Sequence, residues 1–224
     1  MNRVADLVAS RRALLLDFDG PICAVFSDLT NREAARRLAH QLDSPVPTAI
    51  AETVDPFDVL QFAATLGTPT ADKIERAFRR IEVEAVATSR PTPDSETVIR
   101  HASKQRRAVA IVSNNSADAI AAYLAHHELS NDVSSIFART SADVSKLKPN
   151  PYLLNQALST LDLSTHEAVF VGDSVTDIEA ARAAHVAPIA FANRAEKIDR
   201  FAPYAPDAVI TSMAELAEAL QSQP

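Results

Sequence analysis

The sequence predicts an α/β fold: a Rossmann-like parallel sheet with helices on both faces, interrupted after its first strand by an inserted all-helical segment. Three observations lead there. Beyond residue 91, short apolar runs alternate with helical patterns, as βαβ units do. Three apolar runs, LLLDFD (14–19), VAIVSNN (109–115) and AVFVGDS (168–174), end in small or acidic polar residues. Between the first run and the alternation lies 21–90, where helical spacing dominates and strand signals are few.

The first strand, within LLLDFDGPI (14–22), is apolar enough to be buried on both faces of a parallel sheet. On a strand, Asp17 and Asp19 point one way and Phe18 the other. Two carboxylates about 4 Å apart repel by roughly 4 kcal/mol at an effective dielectric near 20. A shared proton, a basic side chain or a metal must offset that, unless the strand end simply opens an ordinary turn. In the insertion, NREAARRLAHQL (31–42), FDVLQFAATL (57–66) and TADKIERAFRRIEVEAVAT (70–88) read as helices, the second following Pro56 and stopping at Gly67. SRPTPDS (89–95), with two prolines, reads as a hinge.

The alternation then begins. Helices are expected at 96–105, 117–129, 150–161, 176–185 and 212–220, and strands at 107–116, 134–139, 167–174, 187–193 and 207–211. Asn150 is placed as an N-cap, with Pro151 at the first helical position.

Bulk properties narrow the function. The 224 residues carry a formal charge of −7, which disfavours binding to nucleic-acid phosphates. A single cysteine, Cys23, excludes an intrachain disulfide and a cysteine-rich zinc site, and reads as a small buried hydrophobe. No apolar run suits a signal peptide or a membrane span, so a soluble cytoplasmic protein is expected. Only Gly20, Gly67 and Gly172 occur, too scattered for a Walker loop or a GxGxxG fingerprint. The six histidines show no ligand spacing.

Ligands of open α/β sheets bind outside the carboxyl ends of the strands, which collects Asp17, Asp19, Ser113 and Asp173 at one edge. Asp177 is either a member of that site or part of a capping box with Ser174. Ser113 is either a site residue or the end of a strand turning at Asn114 and Asn115. Lys148, in KPNP, is placed to aim an ammonium at the edge; Lys146 is its competitor, and a solvent-facing side chain is the alternative for both.

In their order and separation, DFDGPI, IVSNNS, KPNP and GDSVTD resemble the four motifs of the haloacid dehalogenase (HAD) superfamily. The insertion stands where that superfamily's C1 cap belongs, as in phosphoglycolate phosphatase-like members. The resemblance implies a HAD-like core over 1–20 and 91–224 and a helical cap over 21–90. It implies a Mg²⁺-dependent phosphatase acting on a small phosphorylated metabolite, with Asp17 as nucleophile and Asp19 as general acid/base. Metal ligands would be an Asp17 oxygen, the Asp19 backbone carbonyl and Asp173, with Asp177 acting through a bound water or by holding Lys148. Ser113, the Asn114 backbone N–H and Lys148 would grip the phosphoryl oxygens.

Two departures stand out: Pro21 where threonine or valine is usual, and Asp94 where many relatives have glycine. A phosphosugar mutase shares every motif, and a non-catalytic module could retain the fold. Asp19 argues against a metal-free 2-haloacid dehalogenase, and Lys73 is the only lysine available in the insertion for phosphonate-hydrolase chemistry. Arginines 32, 36, 37, 76, 79 and 80 either bind a second anionic group or face water. No nucleic acid or membrane partner is expected, and oligomeric state is unknown from the sequence.

Overall fold

A short helix, α1 (Arg3–Ala9), leads into β1 (Ala13–Leu16), whose four residues are all buried. The computed structural model describes residues 3–43 and 45–221. After β1 come a two-residue strand β2 (Cys23–Ala24) and four helices: α2 (Asn31–Ala39), α3 (Thr48–Ala51), α4 (Pro56–Thr65) and α5 (Thr68–Val86). β3 (Arg90–Pro91) then pairs antiparallel with β2, closing the neck of the insertion. The remainder is α6 (Ser95–Lys104), β4 (Ala108–Ser116), α7 (Ala117–His126), β5 (Ser135–Arg139), α8 (Tyr152–Thr160), β6 (Ala168–Gly172), α9 (Val175–Ala183), β7 (Ala187–Phe191), α10 (Glu196–Phe201), β8 (Ala208–Ile210) and α11 (Met213–Gln221).

The six longer strands form one parallel sheet in the order β5-β4-β1-β6-β7-β8. This is the predicted Rossmann-like architecture. β1 is central because its continuous leucines suit a strand covered on both sides. Leu14 sits between Val109 and Val169, and Leu16 between Ile111 and Val171; these face α1, α6, α7 and α11. Ala13 and Leu15 share the opposite face with Ala110, Val112 and Phe170, under α8 and α9. Leu15 and Leu16 are wholly buried, each contributing ~2 kcal/mol of apolar burial.

The insertion has its own apolar cluster: Leu38 of α2, Leu60 of α4, and Ile74 and Phe78 of α5 pack together. At its base the two connecting segments are joined by hydrogen bonds from Thr92 Oγ1 to the Gly20 carbonyl (2.6 Å) and from Ser95 Oγ to the Ile22 carbonyl (3.0 Å). Asp94 adopts the left-handed region, φ 65°, which explains a glycine-like position being filled by a residue that tolerates that conformation.

Local differences from the sequence reading have physical causes. Segment 89–95 is a hinge by composition, yet Arg90 and Pro91 pair with β2 through an edge that needs few donors. α8 begins at Tyr152, one residue later than placed, so Pro151 rather than Asn150 is its N-cap; Asn150 precedes the cap, and its side-chain oxygen accepts from Tyr152 N at 2.9 Å. Asn114 and Asn115 are not a turn. β4 runs through Ser116, with the register slipping between Ser113 and Ser116 opposite β5, and Ser116 caps α7. α1, α3 and α10 were not foreseen; at four to seven residues they are too short to show a helical period.

Candidate active site at the carboxyl edge of the sheet

β1 delivers Asp17 directly: its backbone N–H donates to the Val171 carbonyl at 2.8 Å, so the ladder continues one residue past the strand. Phe18 turns into the core and meets Tyr123 edge-on, with ring centroids 5.2 Å apart. Asp17 and Asp19 line the same cavity, as the alternation requires. The chain then reverses at Gly20, where φ is 105°. A β-carbon there would come within 2.3 Å of the Asp173 carboxyl carbon, so this glycine is needed for both the turn and the close approach.

Lys148 is the charge at the centre. Its ammonium lies 2.8 Å from Asp17 Oδ1 and 2.6 Å from Asp177 Oδ1, and donates to the Val112 carbonyl at 3.1 Å. It is held there by Asn114, whose side-chain oxygen accepts from Lys148 N (2.8 Å) and whose amide donates to the Lys148 carbonyl (3.1 Å). Burial opposes the ammonium's charge, but Asp17 and Asp177 outweigh it and raise its pKa. Lys146 lies outside: it is exposed, 3.2 Å from Asp143 and over the Tyr152 ring.

Asp177 stands in both positions that the sequence left open, in the capping box and at the edge beside Lys148. Oδ2 accepts from Asp173 N, Ser174 N (both 3.0 Å) and Ser174 Oγ, completing the capping box of α9, while Oδ1 holds Lys148. Gly172 permits this: a β-carbon there would sit 2.3 Å from that of Asp177.

Burial first, then the Asp177 charge, push Asp17 up to about 7, with Lys148 pulling it down. Burial likewise pushes Asp19 to about 7, partly offset by Val25 N–H, which donates to Asp19 Oδ1 at 3.0 Å. Asp173 is raised by burial against the pull of Lys197. Ligand oxygens of Asp17, Asp173 and Asp177 lie within 4.8 Å of one another, a set that could hold a cation. The Asp19 side chain stands outside that set. Ser113, buried at the β4 end, donates to Asn115 Oδ1 at 3.1 Å and lines the cavity with Asn114.

A sequence model described as haloacid dehalogenase-like hydrolase matches residues 14–191, from the start of β1 to the end of β7. The chain belongs to the haloacid dehalogenase-like hydrolases.

Among solved structures of similar fold, CbbY from Rhodobacter sphaeroides, in complex with phosphate, is 23% identical; the match covers 94% of this chain and 99% of that one, with a TM-score of 0.69. The haloacid dehalogenase-like family protein SP0104 from Streptococcus pneumoniae is 17% identical, covering 93% and 98%, with a TM-score of 0.67. A curated phosphoglycolate phosphatase from Aliivibrio fischeri is 30% identical over 92 residues, a span of 41% of this chain and 40% of that protein's length. No helix among the described residues of this HAD-like hydrolase is long and apolar enough to cross a membrane.

Three features escaped the sequence reading. Lys197 of α10 reaches Asp173 at 2.5 Å; it follows β7, the strand beside β6, so the sheet-edge rule would have found it. Glu75 and Glu82 of α5 are buried against Arg139 at the end of β5, with Arg139 Nη1 2.8 Å from Glu75 and Nη2 on Glu82. Glu82 also accepts from Asn115 Nδ2 and Ser116 N, both at 3.1 Å, tying the insertion to the strand that carries Ser113. The two glutamates are seven residues apart, among Ile74, Phe78 and Ile81 on the apolar face, and that was their signal. Cys23 is fully buried, its thiol pKa pushed up by burial.

Proposed function

We propose that this chain is a Mg²⁺-dependent phosphatase that hydrolyses small phosphomonoesters through an aspartyl-phosphate on Asp17. The observation that carries the reading is the Lys148 ammonium shared between Asp17 and Asp177, beneath a cavity of about 460 Å³ that has Asp19 and Ser113 in its wall. A cavity of that size suits a small metabolite. In this reading 1–20 and 91–224 form the catalytic core, and 21–90 form the cap over it.

The donor set fits a hard divalent cation, because its convergent side-chain ligands are carboxylates. Asp17, Asp173 and the Asp19 backbone carbonyl would hold Mg²⁺, with Asp177 orienting Lys148 and completing the surroundings. Bound there, Mg²⁺ supplies positive charge against the phosphoryl oxygens.

The chain's own groups carry the rest. Asp17 attacks phosphorus in line, and Lys148 offsets the charge that accumulates on the phosphoryl oxygens. Protonated Asp19 gives its proton to the departing alkoxide, then as carboxylate takes one from the water that hydrolyses the intermediate. Its raised pKa, about 7, allows both states near neutrality. Ser113 Oγ and the Asn114 backbone N–H orient the transferring group. The test is phosphate release from 4-nitrophenyl phosphate before and after chelation by EDTA. Activity should vanish with EDTA and return with Mg²⁺; full activity in the chelated protein would contradict the proposal.

A further inference from the structure

The cavity above Asp17 has a roof whose chemistry is distinct from its floor. Asp55, Phe57 and Gln61, from the start and first turns of α4, supply that roof, and Val144 and Leu147 form an apolar wall. Among the described residues Lys148 is the one cation lining this cavity. Lys197 is committed to Asp173.

None of arginines 32, 36, 37, 76, 79 and 80 of the insertion lines it. Arg36 pairs with Glu33, Arg37 with Glu33 and Glu84, and Arg79 with Glu75 and Asp118. Arg36, Arg37 and Arg80 border a separate cleft on the insertion's own helices.

Charge complementarity then discriminates among leaving groups. The phosphoryl group takes the floor and Lys148. Whatever the ester oxygen carries extends to the roof, where the fixed charge is the carboxylate of Asp55. Asp55 Oδ1 caps α4, accepting from Phe57 N at 2.9 Å; Oδ2 accepts from no group among the described residues. The Gln61 side chain likewise has no partner among them, and Phe57 is fixed edge-on against Phe78, with ring centroids 5.0 Å apart. A second anion on the substrate would lie beneath Asp55 with no cation to receive it. A hydroxyl or ammonium would find an unused carboxylate oxygen, an amide and an aromatic face.

We infer that the substrate is the phosphate monoester of a small alcohol bearing hydroxyl or ammonium donors and no second anionic group. This rests on the phosphatase reading and narrows it. In the reaction the bond between phosphorus and the alcohol oxygen breaks, that oxygen leaves with a proton from Asp19, and the water oxygen ends on phosphate.

A two-carbon series tests it: 2-aminoethyl phosphate, 2-hydroxyethyl phosphate and 2-phosphoglycolate share a phosphorylated CH2–O group and end in an aminomethyl, a hydroxymethyl or a carboxylate group. With Mg²⁺ present, kcat/KM for 2-phosphoglycolate should be about tenfold or more below that of both others. Asp55→Asn keeps an N-capping side chain and should shrink the gap several-fold. Gln61→Arg, on an exposed helix position, should shrink it further by raising 2-phosphoglycolate turnover. A wild-type preference for 2-phosphoglycolate, or a gap unchanged in Asp55→Asn, would overturn the inference while leaving the phosphatase reading intact. No phosphate from any of the three or from 4-nitrophenyl phosphate would overturn that reading, and the inference with it.

Discussion

Replacing Asp17 by asparagine should stabilise the metal-free protein at pH 8 while abolishing turnover. Burial, and next the Asp177 charge, hold the folded-state carboxyl at about 7, whereas an unfolded aspartate titrates near 3.9. The folded state therefore binds this proton more tightly than the unfolded state. Stability attributable to Asp17 is highest below pH ~4, declines as pH rises, and reaches its full deficit above pH ~7. At ~1.4 kcal/mol per pH unit of displacement the deficit has a ceiling of ~4 kcal/mol. Asp17 shares its charge balance with Lys148 and Asp177, so the net gain in Asp17→Asn should be ~1–4 kcal/mol. For a chain of this length that is a rise of ~3–12 °C in Tm. The assay is thermal unfolding of both proteins in EDTA at pH 8 and pH 5. At pH 5 the gain should fall to about a third, because the wild-type carboxyl is then protonated in the folded state. An Asp17→Asn protein less stable than wild type at pH 8, or a gain indifferent to pH, would refute the reasoning.

Three other perturbations separate parts of the account. Lys148→Ala should lower kcat by ~10²–10³, as loss of a positioned charge in a dry site does, while Lys146→Ala stays within a few-fold; comparable losses would show that the wrong lysine was chosen. Glu82→Ala leaves the buried Arg139 with only one of its two carboxylates and should cost ~3–5 kcal/mol in urea unfolding, with Glu82→Gln costing less. Equal stability of all three proteins would remove that pair from the account. Gly172→Ala should displace Asp177 from Lys148 and lower kcat without changing the far-UV circular dichroism spectrum; wild-type kcat would show that the close approach is dispensable.

Much of this was legible because the chemistry sits where apolar runs stop. Leucines 14–16 identify a buried strand, and the strand's period aligns Asp17 with Asp19 whatever the rest of the chain does. Asp173 and Asp177 follow the β6 run in the same way. The double duty of Asp177 was legible only as two alternatives, since a capping box uses one carboxylate oxygen and leaves the other free to meet Lys148. Lys197, Glu75 and Glu82 were not read. Asp173 and Arg139, the partners that tie them to the sheet edge, lie 24 or more residues away, and an amphipathic helix does not announce that a glutamate on its inner face will meet a particular arginine. The arginines of the insertion show the reverse difficulty. By sequence, arginines 32, 36, 37, 76, 79 and 80 either bind an anion or face water; Arg36, Arg37 and Arg79 are taken up by neighbouring carboxylates, and none of these arginines lines the cavity.

The central claim is that Asp17 carries the phosphoryl group between the two half-reactions. Borohydride reduces an acyl phosphate to the alcohol, so quenching the enzyme with it during turnover of 4-nitrophenyl phosphate, followed by peptide mass spectrometry, reads the site directly. Homoserine at position 17, present with substrate and absent without it, is the predicted result. Turnover with aspartate intact at position 17, or reduction at Asp19, Asp173 or Asp177 instead, would contradict it.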